Sequence, residues 1–335
     1  MLTRGHVHTL GGHRPTATCC GAPFRVSHRT RTVVAVFAAG DSRPVVLITG
    51  ASTGIGKTTA LHLAKKNWQV FAGVRKESDG AALVAESASI EPVLLDVTST
   101  QSVRAAVAEV KERLAPSGRN LSGLVNNAGK GVFMPLELID MDVFDDVMQV
   151  NVSGVVRTTQ AALPLLRKSR LGQQPGRIVN IGSYAGSISL PLFGAYSASK
   201  FALEALSDTM RYELGPKWGI QTILIKASGV KTPIWDKSIG SSVDLLDGVE
   251  AGAMAPYRGM CDEIMEIARK GEETGISAEE VAATIEEALT APRPRSRYLI
   301  GNGAEVQMTA RRLLPDWIWD KLLLKNLKRT AEPLR

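Results

Sequence analysis

A short apolar run, Val45-Val46-Leu47-Ile48, leads into Thr49-Gly50-Ala51-Ser52-Thr53-Gly54-Ile55-Gly56-Lys57 and then into an amphipathic stretch through about Lys66. A branched run without polar alternation reads as a strand buried on both faces. Such strands belong in parallel sheets whose two faces are covered by helices. The glycines at 50, 54 and 56 let the backbone turn tightly and approach an anion such as a pyrophosphate, which the free N–H groups and dipole of a helix N-terminus favour. Gly50, Ser52, Thr53, Gly54, Ile55 and Gly56 are therefore candidate phosphate contacts, in the spacing T-G-x3-G-x-G. The same residues match G-x-S-x-G, the nucleophile elbow of hydrolases. That chemistry needs a later acid and then a histidine. Beyond residue 40 the only histidine is His62, about 15 Å further along the same helix at 1.5 Å per residue, so no triad closes.

The pattern repeats along the chain. Strand candidates at 45–49, 69–74, 92–96, 121–126, 177–182, 221–227 and 297–301 alternate with helical stretches near 54–66, 77–88, 99–115, 142–169, 196–215 and 277–290. A length of 335 residues would suggest two domains. The alternation instead predicts one α/β domain, a Rossmann-type doubly wound parallel sheet with helices on both faces. No internal repeat or low-complexity tract interrupts it.

Ser183, Tyr196 and Lys200 stand in the pattern S-x12-Y-x3-K. A tyrosine and a lysine four apart share a helix face. The ammonium then favours the phenolate and draws the phenol's pKa down from about 10, so that it can exchange a proton with an alkoxide or carbonyl oxygen. Ser183, after the run Ile178-Val179-Asn180-Ile181, can hold the same oxygen. Alone, Y-x3-K describes many surface helices; the serine after a strand is what turns it toward chemistry.

Together these motifs resemble the short-chain dehydrogenase/reductase family over about residues 44 to 302. The resemblance extends to Asp96-Val97 after the third strand, Asn126-Asn127-Ala128-Gly129 after the fourth, and Asn151 in Asn151-Val152-Ser153-Gly154. It implies that Asp96 and Val97 contact adenine and that Asn127, Ala128 and Gly129 line the cofactor groove. It also implies that Asn151 joins Ser183, Tyr196 and Lys200 in a catalytic tetrad and supports a water relay to the lysine, and that Lys200 binds the nicotinamide ribose. Val230 and Thr232 fit its nicotinamide-contacting positions. The family usually has Pro-Gly after strand six, where this chain reads Ala227-Ser228-Gly229, which puts that loop's rigidity in question. Relatives pair through the helices near 142–169 and 196–215, which implies a homo-oligomer. The chain as a whole resembles the retinol- and hydroxysteroid-dehydrogenase-like branch, which implies a lipophilic alcohol or carbonyl substrate.

For cofactor choice, the second strand ends Phe71-Ala72-Gly73-Val74-Arg75-Lys76. An acid commonly sits there to hold the ribose 2′-hydroxyl of NAD, whereas an arginine accommodates the 2′-phosphate of NADP. Val74 and Arg75 predict NADP over NAD, with Lys57 and Lys76 adding positive charge.

The formal charge of +7 does not point to nucleic acid. Residues 1–40 carry five arginines and no Asp or Glu, and taking those five from +7 leaves +2. The same segment has seven Ser/Thr, four of the five histidines, and Cys19 and Cys20 among the three cysteines. Arg-rich, hydroxyl-rich and acid-free composition is that of an organelle transit peptide; Val36-Phe37-Ala38-Ala39 suits a plastid cleavage site, with mitochondrion or a cytosolic extension as alternatives. The remainder, with one histidine and one cysteine (Cys261), has too few ligands for a zinc site.

Residues 232–275 correspond to a substrate lid, with Pro233, Ile234, Trp235, Val243, Leu245, Leu246, Val249, Met254, Tyr257 and Met260. Their apolar character fits a wall around a hydrophobic substrate, with Trp235 a candidate contact beside Ser183 and Tyr196, and fits equally a surface packed on the last two helices. The tail 303–335, with Trp317, Trp319, a leucine stripe and basic residues, reads as an amphipathic helix. A membrane interface, the pocket and a partner subunit are all open as its resting place. The reading is an NADP-dependent, metal-free alcohol/carbonyl oxidoreductase. Its rivals are a nucleotide-binding regulatory or scaffold protein, which turnover would exclude, and a sugar-nucleotide epimerase, for whose second domain the C-terminal region is short.

Overall fold

The computed structural model describes residues 42–167 and 174–326. The chain divides into two units, Met1–Gly40 and Asp41–Arg335, and the predicted leader lies outside the described residues.

Seven parallel strands form the sheet: β1 (Val45–Ile48), β2 (Gln69–Val74), β3 (Ile90–Leu94), β4 (Gly123–Asn126), β5 (Arg177–Ser183), β6 (Gln221–Ala227) and β7 (Arg297–Ile300). Their order is β3-β2-β1-β4-β5-β6-β7. The chain winds outward from β1 in one direction, then returns to lay β4 against β1's other edge, pairing Val46 with Gly123 and Ile48 with Val125. That reversal leaves a crevice beyond the carboxyl ends of β1 and β4, where doubly wound sheets bind ligands.

The branched run of β1 is buried on both faces because its side chains alternate between two cores. Val46 and Ile48 pack with Ala60 and Leu63 of α1 (Gly54–Lys65) and with Val281 and Ile285 of the helix Ala278–Thr290. Val45 and Leu47 face Val103 and Val110 of the helix Thr100–Leu114 and Leu166 of the helix Gly154–Leu166. Each such side chain contributes about 1.5–3 kcal/mol when fully buried.

In chain order the helices after α1 are α2 (Glu77–Glu86), α3 (Thr100–Leu114), α4 (Met141–Met148), α5 (Gly154–Leu166), α6 (Gly194–Trp218), α7 (Ile234–Asp247), α8 (Ala251–Met254), α9 (Arg258–Thr274), α10 (Ala278–Thr290), α11 (Ala304–Leu313) and α12 (Asp316–Asn326). Two differences from the sequence reading bear on function. The stretch 142–169 is not one helix: a π-helical turn over Gln149–Ser153 separates α4 from α5 and carries Asn151. The lid is helical throughout most of its length, as α7, α8 and α9, because its apolar residues recur at helical spacing toward one neighbour.

Candidate active site

The glycine turn is shaped by what surrounds it. Gly50 has φ +65°, and a Cβ there would lie 2.8 Å from Ala128 Cα; a Cβ on Gly56 would lie 2.3 Å from the Gly50 carbonyl and 2.4 Å from Asn127 Nδ2. No other residue fits either position without moving backbone. Asn127 clamps the turn, Nδ2 donating to the carbonyls of Thr49 (2.9 Å) and Gly50 (3.0 Å). Thr49 Oγ1 accepts in return from the N–H groups of Asn127 and Ala128. At the groove position expected of it, the side chain of Asn127 holds the turn in shape. Thr49, which the sequence reading did not single out, is its partner. The first turn of α1 receives no side-chain cap from Thr53, so its N–H groups are available to an anion.

Around this cradle the other predicted contacts assemble. Asp96 follows β3, and hydrogen bonds from Thr98, backbone first, hold its carboxyl below the usual range, with Arg75 and Arg157 helping. Val97 is buried against Gly154. Arg75 is exposed at the end of β2, whereas Lys57 pairs with Glu86 of α2 at 2.7 Å. Across the groove, a Cβ on Gly54 would stand 3.4 Å from Thr232 Cβ. The loop after β6, without Pro-Gly, is tied to Ile276 by backbone hydrogen bonds: Lys231 N donates to the Ile276 carbonyl (2.9 Å) and Ile276 N to that of Gly229 (3.0 Å), and Val230 bridges Ile276. These groups fit an adenine dinucleotide: a backbone cradle for the pyrophosphate, an acid for adenine, and a cation beside the ribose.

The four tetrad candidates meet at one end of the crevice. Ser183 ends β5; its Oγ accepts from Ala185 N (3.1 Å) and sits beside the Tyr196 hydroxyl, whose pKa it lowers. Lys200 Nζ lies 5.6 Å from the Tyr196 ring centroid and donates to the Ile181 carbonyl at 2.9 Å. A Cβ on Gly129 would lie 3.5 Å from Asn151 Oδ1 and 3.9 Å from Lys200 Nζ, so Asn151 and Lys200 flank one point. Asn151 is buried; its Oδ1 accepts from Lys130 N, and its Nδ2 donates to the Lys130 carbonyl and Ser199 Oγ. The π-helical turn is what aims this side chain at the loop after β4. Ser199 was not foreseen, although it lies inside Tyr196-Ser197-Ala198-Ser199-Lys200.

One expectation is reversed. Burial raises the Tyr196 pKa, opposed by the Ser183 hydrogen bond, and burial pushes Lys200 down to about 8. Desolvation is the leading cause in both groups.

The substrate side is apolar. Phe133, Phe193, Ile239, Met254 and Ile264 form a buried cluster against which Tyr196, Leu246, Val249, Tyr257 and Met260 pack. The lid's apolar residues therefore face the loop after β4 and the start of α6, while those of α10 serve the sheet core. Ile234 and Val243 are exposed. Trp235 stands in α7, its side chain outside what is described. Ser242 Oγ accepts from Phe133 N (2.8 Å) and donates to the Ser238 carbonyl, and Tyr257 donates to Glu137, so two hydrogen bonds tie the lid to the loop after β4. Leu323 of α12 joins the cluster, and Gln307 of α11 accepts from Tyr184 Oη. The C-terminal segment thus touches the apolar cluster through Leu323 and the end of β5 through Gln307. Among the described residues no cluster could hold a metal and no helix is long and apolar enough to cross a membrane.

The chain matches the family described as short chain dehydrogenase over residues 44–240. It is 32% identical to an NADPH-dependent 3-dehydrocapnine reductase of Ornithobacterium rhinotracheale, over 85% of this chain and 98% of that one. It is 34% identical to mouse retinol dehydrogenase 5, over 86% and 90%. Among solved structures, a short-chain dehydrogenase from Streptomyces avermitilis superposes with a TM-score of 0.63 at 27% identity, covering 87% of this chain and 99% of that one.

Proposed function

The chain belongs to the short-chain dehydrogenase/reductase family, in its retinol and hydroxysteroid dehydrogenase type, and is an NAD(P)-dependent oxidoreductase acting on CH–OH groups; from that premise we propose that it uses NADP to interconvert a lipophilic alcohol and its ketone or aldehyde. The observation that carries this is Tyr196, placed beside Ser183 and the buried Lys200 with its ring packed on an apolar cluster. A nicotinamide dinucleotide held by the glycine turn and Asp96 would supply the hydride chemistry. Tyr196, whose burial keeps the proton on the phenol, gives it to the substrate oxygen in reduction. Ser183 orients that oxygen, and Lys200 holds positive charge beneath the phenol. Asn151 fixes the loop after β4 beside them.

Preference for NADP is supported by exposed Arg75 where an acid would select NAD, and by a relative described as NADPH-dependent. The test is a panel of long-chain and ring ketones and aldehydes, with short polar ones as controls, assayed with NADPH and NADH. The reading predicts turnover of the lipophilic compounds with NADPH, and turnover of only short polar carbonyls or only with NADH would overturn it. Turnover itself excludes the regulatory or scaffold reading.

Two further parts of the proposal concern assembly and address. Met141, Phe201 and Tyr212 are exposed on α4 and α6, which supports pairing of two copies there; light scattering of a Phe201→Ser/Tyr212→Ser variant measures it. Residues 1–40 are proposed as a plastid transit peptide, and a fluorescent fusion that stays cytosolic would refute that.

A further inference from the structure

Strand β6 carries a lysine where its neighbours are apolar. In Leu224-Ile225-Lys226-Ala227, Lys226 is only 4% exposed. Alternate residues of a strand share a face, so Lys226 lies on the side of Leu224, which packs with Leu203 and Met210 of α6. A buried ammonium is costly unless it is paired. Lys226 has two partners. Its Nζ stands 2.5 Å from Glu204 Oε1 of α6, and it donates to Ser187 Oγ, just after the short turn Tyr184–Gly186.

Those partners belong to the two halves of the catalytic apparatus. Ser187 follows Ser183 by four residues, and what lies between is one tight turn. In it Ala185 N donates to Ser183 Oγ, and Ser187 N donates to the Tyr184 carbonyl. Glu204 follows Lys200 by four residues and Tyr196 by eight, which puts all three along one face of α6. The halves also meet directly. A Cβ on Gly186 would lie 2.8 Å from the Lys200 carbonyl, so the turn cannot shift toward α6 without disturbing it. In the sheet, Lys226 stands opposite Gly182, one residue before Ser183.

Neutralising Glu204 does not require the lysine. Arg297 of β7 holds Glu204 Oε2 at 3.0 Å and Asp208 at 2.7 Å, and Arg211 takes the other oxygen of Asp208 at 2.7 Å. These pairs fasten α6 to β7 by themselves. What Lys226 adds is a tie from the turn after Ser183 to the helix of Tyr196.

We propose that Lys226 is a positioning residue, which sets the spacing between Ser183 and Tyr196 by holding Ser187 and Glu204 on one ammonium. This role rests on the reading that Ser183 and Tyr196 share one substrate oxygen.

The experiment is steady-state kinetics of the full chain with NADPH and the ketone of the panel above that gives the highest kcat, beside thermal melting. Lys226→Met keeps the length of the side chain and leaves Glu204 paired with Arg297. Its kcat should fall about 10–100-fold, the scale of a misplaced reacting group. KM for NADPH should stay within about twofold of wild type. Tm should hold or rise, because an apolar side chain replaces a buried charge. In a Ser183→Ala background the same substitution should cost no more than about twofold further, since the hydroxyl it positions is gone. Ser187→Ala, which removes only a half-buried hydroxyl, should lower kcat several-fold and serves if Lys226→Met unfolds. An unchanged kcat would overturn the proposal. So would an equal fold-loss with and without Ser183, or a fall in kcat matched by a fall in Tm, either of which would make Lys226 part of the scaffold alone. Wild type without turnover, or Ser183→Ala and Tyr196→Phe as active as wild type, would overturn the reading beneath it and the positioning role with it.

Discussion

The cofactor wall of the crevice and its substrate wall are built from different materials. On the cofactor side, backbone meets backbone: Gly56 lies under the Gly50 carbonyl, and Asn127 and Thr49 cross-link the turn through main-chain groups. On the substrate side, side chains meet side chains, with Phe133 and Phe193 at 4.6 Å between ring centroids and the lid held by the Ser242 and Tyr257 hydroxyls. The first wall tolerates almost no change in volume, because a backbone carbonyl cannot step aside. The second can be repacked with other apolar residues of similar size. A family can thus keep one cofactor while exchanging substrates. Tyr196 stands at the seam, its hydroxyl beside Ser183 and its ring against Phe193 at 6.3 Å.

The largest expected effect tests that seam. Tyr196→Phe keeps the ring and removes the proton, so kcat should fall by about 10²–10⁴ while cofactor binding, followed by fluorescence titration, stays near wild type. Retained turnover would place the proton elsewhere.

Next in size is Lys200, where function opposes stability. Burial depresses its pKa to about 8 from the ordinary 10.5, so between those pH values the unfolded chain binds more protons than the folded one. Stability should therefore rise with pH across that window, and below pH 8 the full cost, about 3 kcal/mol, is present. Lys200→Met should raise the Tm of the cofactor-free protein at pH 7, by an amount that shrinks toward pH 10, while abolishing turnover. A melting temperature lowered equally at both pH values would show that the bond to Ile181 outweighs the buried charge.

A smaller effect separates the two walls. Arg75→Ala should weaken NADPH about 10–100-fold, the range of a lost charge-assisted hydrogen bond, and leave NADH nearly unchanged. Equal losses would remove Arg75 from cofactor selection. The smallest concerns the lid. Ser242→Ala leaves the buried Phe133 N–H without its acceptor, costing about 1 kcal/mol. KM for a lipophilic substrate should rise several-fold while NADPH affinity holds; a loss confined to NADPH would show that the lid serves the cofactor wall.

The two walls also differ in how far they could be read from the chain. All seven strands, the glycine turn and the positions of Ser183, Tyr196 and Lys200 were legible, because each rests on local spacing. Thr49 and Ser199 were not singled out, since a hydroxyl's partner across the sheet leaves no mark on its neighbours in sequence. The lid's helices went unassigned, and whether it faced the substrate or α10 stayed open, because apolar periodicity says that a face is buried and not against what.

What the sequence by itself determined, then, is the parallel sheet with its anion cradle and the Tyr196/Lys200 stripe, each a consequence of residues fewer than about five apart acting through backbone geometry. Only the tertiary structure decided the direction of the pKa shifts in that stripe and the use of Asn127. Burial raised Tyr196 and lowered Lys200 against the attraction their spacing implies, and Asn127 turned its amide to Thr49 and Gly50. Desolvation and long-range hydrogen bonds depend on which groups the folded chain brings from elsewhere, and no local pattern contains that information.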